Sequence, residues 1–221
     1  MKRLKSWSRQ ETIDFREEQI NAIEKTLKTF KKDDEMLWYA KMRFGKTLSA
    51  LEVIRRSQYR RVIIATHRPV VDDGWSEDFK KIFFPGNSEH EYHYERKTKD
   101  SAYTFDEKTD AENDLKIRKL DKDGTYFVYF ASVQDLRGSK IVGGKFNKNN
   151  AVFALDWDLI IIDEAHEGTQ TELGQRCKGL CRSVGGTNAA EQRRGVRSAE
   201  SWRQCADGGR KAGWFPMADR Y

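Results

Sequence analysis

Two short stretches carry residue types that do chemistry when brought together. The first is Ala40-Lys41-Met42-Arg43-Phe44-Gly45-Lys46-Thr47. It fits the phosphate-loop pattern G-x-x-x-x-G-K-[ST], with Ala40 in place of the first glycine. In such a loop, backbone N–H groups and the start of the following helix face the phosphates, and the helix dipole favours negative charge there. Gly45 lets the backbone approach closely. Lys46 neutralises the β- and γ-phosphates, and Thr47 offers its hydroxyl oxygen to Mg²⁺. The second stretch is Leu159-Ile160-Ile161-Ile162-Asp163-Glu164-Ala165-His166, an apolar run that ends in two carboxylates. A strand-end aspartate can hold Mg²⁺, often through water, and the adjacent glutamate can polarise an attacking water as general base. Singly, the first stretch could be a surface loop and the second a turn. Together, in this order, they imply a site for ATP and Mg²⁺. Lys46, Asp163 and Glu164 are its candidate catalytic residues, and Thr47 and Asp163 its metal ligands.

These residues need a strand before each loop and a helix after the first. Apolar runs at 36–40, 62–65, 126–131 and 159–162 have the character of strands buried on both faces. Helical spacing marks 16–30 through Ile20, Ile23, Leu27 and Phe30, with Asp14 as N-cap. Helices are also expected from about 47 to 56 and at 70–84, the latter ended by Pro85-Gly86-Asn87. Residues 88–124 are densely charged with mixed sign and read as a surface insertion, with a short strand at 90–94 and a short helix at 111–120. A strand at 125–131, a short helix at 132–136, a Gly/Asn/Lys loop at 138–150 and a strand at 157–162 follow. Alternation of strands and helices predicts an α/β fold with a mainly parallel sheet and helices on both faces.

The chain has 221 residues and a formal net charge of +6. The charge weakly favours an anionic partner such as nucleic acid. No stretch approaches the ~20 apolar residues of a membrane span, and the basic 1–9 segment leads into no apolar core of a secretory signal. No membrane partner and a cytoplasmic location are the expectation. Cys177, Cys181 and Cys205 form no CxxC pair and read as incidental thiols. His90 and His93 lack partners at ligand spacing. Trp7, Trp38, Trp75 and Trp157 read as packing residues. From about Arg176 isoleucine vanishes, lysine nearly disappears, and arginine, glycine and cysteine rise. The division expected is an N-terminal extension at 1–14, a nucleotide-binding lobe at 15–174 and a basic tail at 175–221, non-native or disordered. A shifted reading frame after about Gly174 accounts for the break. A natural basic tail is the alternative.

The sequence Asp163-Glu164-Ala165-His166 resembles motif II of the DEAH-type superfamily-2 helicases and translocases, whose first motif commonly begins with alanine. Met42-Arg43-Phe44-Gly45-Lys46-Thr47 is most similar to the motor subunits of type III and related restriction enzymes. Arg43 departs from the glycine or threonine common there. Phe15-Arg16-Glu17-Glu18-Gln19 resembles the Q-motif region, which implies that Gln19 reads the adenine edge with an aromatic close by. The nucleotide-binding set implied is Phe15, Gln19, Met42, Arg43, Phe44, Gly45, Lys46, Thr47, Leu48 and His166, with His166 coupling the site to an opposite lobe. Ile63-Ile64-Ala65-Thr66-His67-Arg68-Pro69 and Phe130-Ala131-Ser132-Val133-Gln134 resemble backbone-contacting motifs. Thr66, Arg68, Ser132 and Gln134 are then nucleic-acid contacts that position a strand without reading its sequence.

The resemblance covers about 15–173 and implies a P-loop, RecA-like single lobe, the first of two. It implies DNA rather than RNA as partner, and methyltransferase or nuclease subunits beside a full-length parent. No nuclease motif is visible, and nothing resembles a second lobe. Gln192-Arg193-Arg194-Gly195-Val196-Arg197 has the wrong spacing for an arginine-finger motif. The expectation is Mg-ATP binding with slow hydrolysis by this chain alone. A P-loop ATPase of another class, or a non-catalytic remnant or binding module, are the alternatives.

Overall fold

The computed structural model describes residues 13–33, 36–41, 43–66, 72–97 and 105–163, with Asp72 and residues 215–220 as backbone alone. All three cysteines lie outside the described residues. The elements run α1 (Glu17–Thr29), β1 (Trp38–Lys41), α2 (Lys46–Ser57), β2 (Arg61–Thr66), α3 (Asp72–Ile82), β3 (Tyr92–Arg96), α4 (Glu107–Lys122), β4 (Tyr126–Ser132), α5 (Val133–Arg137), a 3₁₀ turn (Lys140–Val142), α6 (Asn150–Ala154), β5 (Leu159–Asp163) and β6 (Phe215–Arg220). The six strands form one sheet in the order β1-β6-β5-β2-β4-β3. Every pairing is parallel. All strand C-termini therefore lie along one edge.

Period-two alternation splits each strand between two cores. Val62 and Ile64, Val128 and Phe130, and Leu159 and Ile161 pack with α1, α2 and α3 through Ile23, Leu51, Ile54, Trp75 and Phe79. Ile63, Phe127, Tyr129 and Ile160 face the other way, against Ile117 of α4, Leu136 of α5 and Val152 and Phe153 of α6. Both faces are covered, which is why the strands read as unbroken apolar runs.

The structure differs from the sequence reading in four places. The N-cap of α1 is Arg16 rather than Asp14. The charged segment 88–124 supplies an integral edge strand and a helix: Tyr92 and Ile117 are buried, as is Asp110, while most of the other charges of α4 stay on its outer side. Residues 150–154, which begin at the end of the expected 138–150 loop and were otherwise assigned no element, form α6. The backbone of 215–220, from the expected tail, lies inside the sheet between β1 and β5. Among the described residues no helix is long and apolar enough to cross a membrane.

Candidate functional site

Strand β1 ends at Lys41, and α2 starts five residues later at Lys46. Between them Arg43 has φ 61° and Gly45, the N-cap, has φ 87°. Two left-handed residues turn the chain sharply enough to aim the first turn of α2 along the sheet edge. That turn carries no acidic side chain, and the dipole at a helix N-terminus favours an anion. Gly45, Lys46, Thr47 and Leu48 are all partly buried. Ser49 fastens the turn, its N–H and its hydroxyl each donating to the Gly45 carbonyl at 3.0 Å.

A pair of side chains from the start of α1 grips the loop from outside. Gln19 Nε2 donates to the Phe44 carbonyl at 2.9 Å, and its Oε1 accepts from the Arg16 backbone N–H at 2.9 Å. Arg16 Nη2 donates to the Arg43 carbonyl at 3.1 Å and also to that of Phe44. The backbone at position 45 favours glycine. Its φ is positive, and a Cβ there would sit 2.4 Å from Gln19 Nε2. Gln19 is buried with both ends of its amide engaged on protein, so the structure gives it a bracing contact on the loop between β1 and α2. Phe15 and Phe44 pack against the core beneath. Beside this grip, between α1 and β1, opens a cleft of about 670 Å³ lined by Arg16, Trp38, Tyr39, Lys41, Arg43 and Phe44. That volume lies within the range of small-molecule sites.

Asp163 ends β5 on the same edge, aligned with Thr66 at the end of β2. Asp163 is 9% exposed and accepts a hydrogen bond from Trp75 Nε1 at 3.2 Å. Trp75 thus does more than fill the core: it orients the carboxylate. Of the expected nucleic-acid contacts, Thr66 is fully buried. Ser132 is buried as the N-cap of α5, its Oγ accepting from the Asp135 N–H at 3.0 Å. Gln134 is exposed. Met42, Arg68, Glu164 and His166 lie outside the described residues. Arg16 and Trp75 were missed by the sequence reading. Arg16 stands three residues before Gln19, which is the only hint it gives.

A family model described as the type III restriction enzyme, res subunit, matches residues 12–208. The chain belongs to that family. A Mycoplasma pneumoniae protein named as the C-terminus of a type II restriction enzyme and methyltransferase is 26% identical over 168 residues, 72% of this chain and 21% of that one. Two solved structures share the fold at 13% identity. The Sulfolobus solfataricus SWI2/SNF2 ATPase core, solved with double-stranded DNA, superposes with a TM-score of 0.56 over 96% of this chain and 33% of its own. A nuclease-deletion mutant of the type ISP restriction-modification enzyme LlaGI, solved with a DNA substrate mimic, gives 0.53 over 94% and 18%. This res-subunit chain thus has the fold of a superfamily-2, RecA-like helicase motor lobe. It spans about a fifth of the curated relative's length and a third or less of the solved chains.

Proposed function

We propose that this chain is the ATP-binding lobe of a restriction-type DNA helicase or translocase of the DEAH class, and that it binds Mg-ATP and the DNA backbone. One observation carries the reading. The phosphate loop follows β1, Asp163 ends β5, and a single strand separates them on one edge of a parallel sheet. Two strand spacings are about 10 Å, which leaves room for a triphosphate and its ion between the two halves. Ligands of open α/β sheets lie at this edge, beyond the strand C-termini.

In this reading the N–H groups at the start of α2 and the Lys46 ammonium hold the phosphates. The cleft beside Arg16 and Tyr39 takes the base. Thr47 and Asp163 would hold Mg²⁺, for which a hydroxyl and a carboxylate are suitable hard donors. When bound, the ion adds positive charge against the phosphate oxygens. Glu164, next in sequence, is the proposed general base. An arginine from an opposing lobe is typically worth about 10³–10⁵ in rate. The chain alone is therefore expected to bind ATP and turn it over slowly.

Titration with a fluorescent ATP analogue and Mg²⁺ tests this. A charge-assisted phosphate contact contributes about 1.5–3 kcal/mol, so Lys46→Ala should weaken binding by roughly 10–100-fold. Unchanged affinity in that variant would remove the phosphate-loop assignment.

A further inference from the structure

Between Asp135 and Asp156 the sequence has no acidic residue and four basic ones, Arg137, Lys140, Lys145 and Lys148. Arg137 is the last residue of α5, and the three lysines lie in the segment that joins α5 to α6. Lys148 is buried and used internally, its Nζ 2.6 Å from Asp135 Oδ1. Arg137, Lys140 and Lys145 are exposed and have no ion-pair partner among the described residues.

The loop is held in one shape. Lys140 N–H donates to the Phe146 carbonyl at 2.7 Å, Phe146 N–H to Gly138 at 2.9 Å, and Gly144 N–H to Ser139 at 2.8 Å. A Cβ on Gly144 would lie 2.3 Å from the Gly138 carbonyl, so the two limbs of the loop touch backbone to backbone. A buried polar cluster fastens it from below. Asn149 Nδ2 donates to Asp135 Oδ2 at 3.0 Å and to Ser139 Oγ at 3.1 Å, and its N–H to Asp110 Oδ2 at 3.1 Å. Lys97 Nζ bridges Asp110 at 2.5 Å and Asp135 at 3.1 Å. Burying paired charges adds little net stability, and its best-attested use is to specify one geometry. Here that geometry fixes the backbone that carries the three cationic residues.

Apolar surface is interleaved with them. Phe146 is 42% exposed and stacks on exposed Phe105, with ring centroids 4.7 Å apart. Ile141 is 41% exposed. The loop follows α5, whose N-cap ends β4, so it lies towards the same edge of the sheet as the phosphate loop and Asp163. Cationic side chains on a fixed loop backbone that also carries an exposed aromatic pair suit a polyanion with flat apolar faces. Preorganisation lowers the ordering cost of binding it.

We propose that loop 137–146 is a docking platform for the DNA backbone. Arg137, Lys140 and Lys145 neutralise phosphates, and the Phe105–Phe146 pair packs on a sugar or base face. The inference rests on the DNA-binding reading above and assigns to it a surface outside the residues named there.

Fluorescence anisotropy of the full chain with a short labelled DNA duplex, over a salt series from about 50 to 200 mM, tests it. Each phosphate contact contributes about 0.9 to the slope of log affinity against log salt. The triple variant Arg137→Ala, Lys140→Ala, Lys145→Ala should lower that slope by about 2–3 and weaken low-salt binding by roughly 10-fold or more. Phe146→Ala should weaken binding severalfold with the slope unchanged, as loss of stacking does. The control Lys119→Ala, Lys122→Ala on the exposed side of α4 should leave both quantities as they are. Melting midpoints confirm that each variant is folded. Failure of the unmodified chain to bind any duplex overturns the DNA reading itself. Binding that the triple variant retains, or that the α4 control loses equally, overturns the loop assignment alone. A preference for an RNA duplex, lost in the same triple variant, overturns DNA as the partner.

Discussion

Arg43 sits at φ 61°, where a side chain costs about 1–2 kcal/mol relative to the right-handed region. In similar helicases glycine or threonine is common here, and a left-handed backbone explains why glycine suits. This chain keeps arginine and holds the strained turn from outside, through the Arg16 fork on the carbonyls of Arg43 and Phe44. Arg16→Ala should therefore loosen the loop without unfolding the domain, because the side chain is 53% exposed. Binding of a fluorescent ATP analogue should fall by roughly 3–10-fold, the loss of one or two modest hydrogen bonds, with little change in melting midpoint. Arg16→Lys should not restore it, since a single ammonium lacks the planar fork. Equal affinity in all three proteins would show that the grip has no role in nucleotide binding. Lys46, Thr47 and Asp163 could be singled out because the chemistry proposed for them is local to two motifs. Arg16 on Arg43 and Trp75 on Asp163 are contacts 27 and 88 residues apart. Nothing in the residue types announces such a contact before the chain is folded.

At the scale of elements, α2 follows the loop and is braced within itself by Glu52. This carboxylate is 3% exposed and accepts from Arg55 at 2.8 and 2.6 Å and from Arg56 at 2.6 Å. Burial pushes its pKa up, but the two guanidinium groups outweigh burial and hold it below the ordinary value of 4.5. A depressed folded pKa means that the unfolded chain takes up the proton first. The stability from this pairing is therefore complete above about pH 4.5 and is lost as pH falls through the folded value. Urea unfolding across pH should show Glu52→Gln less stable at neutral pH by about 1–2 kcal/mol, the arginines being partly solvated. The gap should narrow in acid, and a constant gap would refute the linkage. The strands and larger helices were legible because burial on both faces leaves continuous apolar runs and amphipathic helices leave a 3.6-residue stripe. Two elements were read less well for physical reasons. Helix α4 buries only Asp110 and Ile117, too few to mark a stripe amid its charges. Helix α6 is five residues long, shorter than the period-based signal needs.

Across the whole molecule, the two halves of the proposed site are held in register through β6. Strand β1 pairs with β6 over four residues, Trp38↔Met217 to Lys41↔Arg220, whereas β5 meets β6 at Ile161 and Ile162 alone. Pro216 lies opposite Ile162 and has no N–H to donate, an unusual residue for an interior strand. The join is thus the weak seam of the sheet. Composition set residues 175–221 apart because a short strand paired on both edges needs backbone more than it needs a distinctive apolar pattern. A chain ending at residue 208 tests how much the seam contributes. Without β6, β1 keeps its helix contacts, including Trp38 Nε1 to Thr26 Oγ1 at 2.8 Å, but loses its strand partner. Several backbone hydrogen bonds at about 0.5–1.5 kcal/mol each imply a loss of a few kcal/mol in thermal or urea unfolding. Affinity for the ATP analogue should fall with it, because the loop after β1 is no longer aligned with Asp163. If the shortened chain instead melts and binds as the longer one does, residues 209–221 are dispensable, and the strand between β1 and β5 contributes nothing to the site.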